Sequence, residues 1–146
     1  MNAPSILSVL NELLTRESQS LAPRLFESTV FVSRLSVAGH MAAQRIAEAN
    51  ARHGSALAAL IAELGGVPEP RMGNVLTADL HFQEMHYVLP RLIANHEALI
   101  ASYRLAAQRV TSEPAAVKLV SEILSTHERE LSELHALMDK PKAKAS

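Results

Sequence analysis

The chain has 146 residues and a mass of 15.8 kDa, which is enough for one domain with a real core and too short for two. Its 48% hydrophobic content comes mainly from Ala and Leu, strong helix formers, and predicts an all-helical fold. The lack of Cys excludes disulfides, thiolate zinc sites and iron–sulfur clusters, and a net charge of -1 excludes the broad basic field that nucleic acids require.

The two ends of the sequence carry no strong targeting signal. No charged and apolar leader opens the chain, and no apolar run approaches the roughly 18–20 residues that span a bilayer, so we expect a cytoplasmic protein outside the membrane. Residues 1–139 are predicted to form the folded domain. Residues 140–146, which contain three Lys, are predicted to be a disordered tail with at most a weak, salt-sensitive contact to nucleic acid.

The first predicted helix runs from about residue 5 to about residue 31, because Leu10, Leu13, Leu14 and other apolar residues recur at the helical period. Pro23 falls inside this range and is expected to bend or break the helix, since it lacks a backbone donor. Residues 33–39 are the predicted connection to the next helix.

A second helix is predicted over residues 41–64. It should end at residues 65–68, Gly-Gly-Val-Pro, because Gly can adopt the left-handed cap and Pro prevents continuation.

The second half of the chain allows two interpretations. After a loop at 69–74, either a short extra helix covers 75–87 and the third helix restarts near Pro90, or one helix bent at Pro90 covers 77–110. A fourth helix begins at Pro114 and continues to about residue 138. Long helices with short connections favour an antiparallel four-helix bundle as the fold.

Every predicted helix places polar side chains on or beside its apolar stripe, where burial without a partner is costly. They are Glu17 on the first helix, Asn50 and His53 on the second, His96 and Glu97 on the third, and His127 and Glu130 on the fourth. Convergence of Glu and His from four helices is how a bundle holds two iron ions, since carboxylates neutralise the charge and imidazoles fill terminal positions. The alternative is that each is a hydrogen-bonded core residue or lies at the flank of its helix.

Three segments resemble bacterioferritins and the starvation-induced DNA-protection mini-ferritins. They are residues 10–17, residues 51–53 with 57–68, and residues 127–134. The run after residue 65, with Leu80-His81, also resembles a ferritin-like class without an assigned function. The resemblance implies a ferritin-like bundle that binds iron, with metal ligands carried onto Glu17, Asn50, His53, Glu97, His127 and Glu130.

The resemblance is imperfect at two of these positions. The Glu-x-x-His pair of bacterioferritins is matched by Asn50-Ala-Arg-His53, so a neutral amide replaces the bridging carboxylate. On the fourth helix the pair is inverted to His127-Glu-Arg-Glu130. Ala51 stands where the haem-ligating Met is expected, so the resemblance implies no haem.

The predicted function is therefore iron oxidation, iron storage or oxidative-stress protection by a homo-oligomer with a degenerate di-iron or single-metal site, and ferroxidase activity if the site is intact. The alternative is a metal-free bundle that serves as a structural or protein-interaction module. A separate cluster of His81, Glu84 and His86 could bind a metal, form a pH-sensitive contact or be a solvated surface.

Overall fold

The computed structural model describes residues 3–20, 37–70 and 85–139, and these contain four helices and no strand. The helices are α1 (Ala3–Ser18), α2 (Val37–Glu63), α3 (Met85–Arg109) and α4 (Pro114–Met138). The all-helical bundle predicted from the sequence is confirmed. Within the described ranges, no helix has both the length and the apolar character that crossing a membrane requires.

The four helices form a ring in the order α1, α2, α4, α3, because α1 and α4 each pack chiefly against α2 and α3. Two apolar clusters fill the interior. The larger involves all four helices and includes Leu10, Leu57, Tyr103 and Val120, and the smaller consists of Ala43, Ile46, Leu92, Ile93 and Leu134. On α2, α3 and α4, the buried polar residues lie between these clusters along the sequence.

The end of α1 differs from the prediction. The helix ends at Ser18 and does not continue to residue 31. The hydroxyls of Ser18 and Ser20 donate to the carbonyl oxygens of Leu14 and Arg16, at 2.8 and 2.9 Å. The predicted end near residue 31 is therefore wrong, and the helix stops before it reaches Pro23, the residue at which the sequence predicts a break or bend. Pro23 itself lies outside the described residues.

The start of α2 differs from the prediction, whereas the path of α3 at Pro90 agrees with the second of the two interpretations, a single helix that passes through this residue. Residues 37–39, expected to be a connection, already belong to α2, since no Pro interrupts the helix there. Helix α3 begins at Met85 and passes through Pro90, so it does not restart at that residue. Of the extra helix proposed over 75–87, residues 85–87 belong to α3, and residues 75–84 lie outside the described residues. His81, Glu84, the side chain of His86 and the lysine tail also lie outside them.

The C-terminal cap of α2 confirms the predicted helix end. Gly65 has a φ of +88°. Its N–H donates to the carbonyl oxygen of Ala62 at 3.0 Å, and the N–H of Gly66 donates to the carbonyl oxygen of Ile61 at 2.9 Å. This pair of bonds is the Schellman motif, which satisfies the last carbonyls of a helix and requires a left-handed residue.

Replacing Gly65 with Ala should lower the free energy of unfolding by about 1–2 kcal/mol, because an L side chain is strained in the left-handed region. The matched variant is Gly54→Ala inside α2, where the new Cβ would meet Leu14 Cδ1 at an ordinary 3.8 Å. It should raise that free energy by about 0.5–1 kcal/mol. Urea unfolding measures both, and equal effects at the two positions would contradict the assigned cap.

Candidate metal centre

Glu17, in the last turn of α1, is the centre of a buried polar cluster. Its side chain is only 1% exposed. Glu17 Oε1 accepts a hydrogen bond from the Tyr103 hydroxyl at 2.7 Å and lies 2.6 Å from His127 Nε2, while Oε2 accepts one from Asn50 Nδ2 at 2.7 Å. This one carboxylate therefore connects α1 to each of the other three helices.

The ring of His127, on α4, lies between two carboxylates. Its Nε2 faces Glu17, and its Nδ1 is 3.0 Å from Oε1 of Glu130, which is also 2.8 Å from His96 Nε2. Ionised carboxylates only accept hydrogen bonds, so both nitrogens of His127 carry protons in this arrangement. The rings of His53 and His96 stand edge-on to His127, with centroid distances of 4.9 and 5.0 Å.

These contacts shift the ionisation of the cluster. Burial acts to raise the pKa of Glu17, but the contacts with His127 and His53 outweigh it and lower that pKa to about 2. Burial acts to lower the pKa of His127, but hydrogen bonds to Glu130 and Glu17 raise it to about 9. The pKa of Glu130 is lowered because its contacts with His127 and His96 outweigh burial. Burial, followed by the charge of Glu17, raises the pKa of Tyr103, which stays a neutral donor.

Three buried atoms lack a hydrogen-bond partner within the part of the chain that the structure describes: Asn50 Oδ1, His53 Nδ1 and His96 Nδ1. His53 Nδ1 lies 3.4 Å from Glu17 Oε1, an electrostatic contact without hydrogen-bond geometry. Unsatisfied buried polar atoms are rare and call for a ligand or another explanation. Lone pairs of nitrogen and oxygen beside a carboxylate fit a divalent transition metal such as iron.

The potential ligands fall into two groups of three. Glu17, His53 and His127 form one, and His96, His127 and Glu130 form the other. In each group the ligand atoms lie within 4.8 Å of one another. Two imidazoles and one carboxylate are also the donor set of many non-haem Fe(II) sites. The groups share His127, whose Nε2 faces Glu17 and whose Nδ1 faces Glu130.

The structure brings five of the six predicted ligand residues together: Glu17, Asn50, His53, His127 and Glu130. Their function as ligands stays a prediction. Glu97 is exposed and lies outside this cluster, whereas its neighbour His96 is 1% exposed and belongs to it. Successive residues point about 100° apart on a helix, and here this turn places Glu97 on the exposed side of α3 next to the buried His96.

The family pattern calls for a carboxylate at this place, and Glu97 is the carboxylate nearest the middle of the third helix. The feature of the sequence that indicates which α3 residues join the cluster is their spacing. Leu92, His96, Leu99 and Tyr103 recur every three or four positions and therefore share one face of the helix. The same spacing places Tyr103 on the apolar stripe but gives no sign of its hydrogen bond to Glu17.

No protein-family model matches the chain, and comparisons with curated proteins and with solved structures find no match either. Function is therefore inferred from the geometry of the cluster, and membership of the ferritin-like superfamily stays a hypothesis.

The metal-free protein should lose stability as the pH rises above neutrality. The pKa of His127 is raised from 6.5 to about 9, so its contribution is complete below pH 6.5 and disappears as the pH rises through 9. The pKa of Glu17 is lowered from 4.5 to about 2, so its contribution disappears only as the pH falls through 2. We expect the free energy of unfolding to fall by on the order of 1–3 kcal/mol between pH 6.5 and 9.

Urea unfolding in the presence of a chelator measures this dependence. The fall should disappear in His127→Gln and persist in His135→Gln, which changes an exposed His on the same helix. A free energy of unfolding that rises between pH 6.5 and 9 would contradict the charge assignment.

Proposed function

We propose that the protein binds a divalent transition metal, with iron as the first candidate, in the interior of a ferritin-like antiparallel bundle. The observation that carries the proposal is the meeting of two carboxylates and three imidazoles between two apolar clusters. The unpartnered lone pairs at His53 and Asn50 support it, because a bound cation would satisfy them.

The contacts between α1 and α2 support the antiparallel arrangement. Asn11, in the middle of α1, bonds to the backbone of Val67 and Glu69 beyond the end of α2. Glu17, near the end of α1, bonds to Asn50 in the middle of α2. Later positions on α1 thus meet earlier positions on α2, as in the hairpins of ferritin-like bundles.

The chain's own residues would hold and orient the ion. Glu17 and the imidazoles supply the ligands, while Tyr103 and Asn50 fix both oxygens of the Glu17 carboxylate. Burial of Glu17 and His127 beside the apolar clusters strengthens their electrostatic contacts. Bound iron would supply electron transfer to oxygen or peroxide, which fits iron oxidation, storage or protection against oxidative stress.

Anaerobic titration of the metal-free protein with Fe(II) tests the proposal. Binding to the folded state alone should raise its stability, by about 2.7 kcal/mol at a ligand concentration one hundred times Kd. Glu17→Gln should lose this gain, and Glu12→Gln, which alters an exposed carboxylate on the same helix, should keep it. Subsequent addition of oxygen should produce the absorbance of oxo-bridged ferric iron if two ions react together. A melting temperature insensitive to both Fe(II) and chelators would contradict the proposal.

A metal-free bundle with a structural or protein-interaction function is the second candidate. It is favoured by one observation: protons already satisfy most of the cluster, because the doubly protonated ring of His127 joins Glu17 to Glu130. A satisfied polar network can remain in a core without a metal. On this account chelators leave the melting temperature unchanged.

Asn50→Asp separates the two candidates. The substitution removes the hydrogen bond to Glu17 Oε2 and sets a second carboxylate against the first. The metal-free form should lose about 1–3 kcal/mol of stability. Divalent metal should then raise the melting temperature more than in the unmodified protein, because the added carboxylate compensates the charge of the ion.

The matched control is Gln44→Glu, which adds a carboxylate at an exposed position of the same helix. It should change neither the stability of the metal-free form nor the rise in melting temperature caused by metal. If Fe(II) or Mn(II) raises the melting temperatures of Asn50→Asp and the unmodified protein equally, position 50 does not adjoin a metal.

A further inference from the structure

We infer that the cluster binds a single ion through Glu17, His53 and His127, and that Glu130 and His96 are positioning residues which hold the His127 ring. This inference rests on the proposed function, since it requires that a metal binds at all. It differs from a two-ion centre bridged by carboxylates and assigns a separate task to each half of the cluster.

The first step concerns which ligand atoms are available. His53 Nδ1 lies 3.4 Å from Glu17 Oε1 and has no hydrogen-bond partner in the described chain. In the other group, His96 faces Glu130 with Nε2, which is already bonded at 2.8 Å, and its unpartnered atom is the other ring nitrogen. Among the described residues, an unpartnered ring nitrogen in contact with a carboxylate is therefore found only in the group that contains Glu17.

The second step follows from the chemistry of the shared imidazole. A neutral imidazole has one N–H and one lone pair, so His127 can ligate a metal through only one nitrogen while it keeps its proton on the other. With the proton on Nδ1, the N–H donates to Glu130 and the lone pair of Nε2 faces Glu17. Metal-ligating histidines usually donate their second nitrogen to a carboxylate in this way, which fixes tautomer and ring orientation.

Glu130 is suited to this second task. Its Oε1 is hydrogen-bonded both to His127 Nδ1 and to His96 Nε2, the latter at 2.8 Å. Two imidazoles from different helices therefore hold the carboxylate in place. His96 thus acts on the metal site through Glu130, and Glu130 acts through His127.

The third step is charge balance. With neutral imidazoles, Glu17 and Glu130 together carry two negative charges, which match one divalent cation. Asn50, at the position of a bridging carboxylate, adds only a neutral amide. A second ion would leave two uncompensated positive charges in a site where Glu17 and His127 are at most 1% exposed, and buried unpaired charge is strongly unfavourable.

The surface also provides access to the Glu17 group. A groove of about 400 Å³ between α1 and α2 reaches Glu17 and Asn50, and its other lining residues are uncharged, with small ones such as Ala47, Ala51 and Gly54. A second groove, between α2 and α4, reaches Glu130. Three guanidinium groups line it and would compete with a cation for the carboxylate of Glu130: Arg45, Arg52 and Arg129.

Titration with Co(II), followed by visible absorption and calorimetry, tests the division of tasks. The unmodified protein should bind one Co(II) per chain. His53→Gln removes a ligand and should weaken binding by at least about 1,000-fold or change the absorption bands of bound Co(II). His96→Gln and Glu130→Gln remove only supporting contacts and should weaken it by about 10–100-fold, with the band positions at saturation unchanged.

The conservative pair Glu130→Gln and Glu130→Ala adds a readout that a loss of folding would not produce. Gln can still accept the proton of His127 Nδ1, so Glu130→Gln should bind Co(II) more tightly than Glu130→Ala at equal helical content by circular dichroism. Two ions per chain, or altered bands in His96→Gln with normal bands in His53→Gln, would overturn the inference and leave metal binding intact. Absence of binding by the unmodified protein to Co(II), Fe(II) and Mn(II) would overturn the proposed function as well.

Discussion

The buried carboxylate of Glu17 is the interaction on which this bundle depends. Asn50, Tyr103 and His127 reach it from the three other helices at 2.6–2.7 Å. An ionised carboxylate in an apolar interior is tolerated only if it is paired and fully hydrogen-bonded. Glu17 therefore constrains where the four helices can lie relative to one another at this level of the core.

The same constraint explains why the cluster suits either protons or a metal. Two carboxylates between apolar clusters require positive charge, and the imidazole of His127 contacts both of them. A divalent ion can take over this task if His127 gives up one proton. If the protein binds a metal as proposed, protons and the ion would compete for Glu17.

The sequence predicted the helical class and much of the site because both follow from local periodicity. Glu17, His53 and His127 interrupt apolar stripes, and Gly65 marks a helix end through its own backbone preference. The resemblance implied Glu97, whereas the phase of the helix places His96 in the cluster and Glu97 outside it. The predicted length of α1 failed because the apolar period was continued past Pro23.

Other features could not be read from spacing. The bond between Tyr103 and Glu17 joins residues 86 positions apart and depends on how α1 and α3 meet in three dimensions. The contact between Glu130 and Nδ1 of His127, the ring nitrogen that does not face Glu17, likewise depends on the rotation of α4 and on side-chain rotamers. Periodicity indicates which residues face inward, but it does not give their partners.

Nitrogen NMR of the His127 ring, before and after addition of one equivalent of Zn(II), tests the central claim most directly. In the metal-free protein near pH 7, both ring nitrogens should be protonated, because each faces a carboxylate. With Zn(II), Nε2 should lose its proton to the metal bond while Nδ1 keeps its proton toward Glu130. A neutral His127 ring in the metal-free protein that does not change when Zn(II) is added would contradict the account.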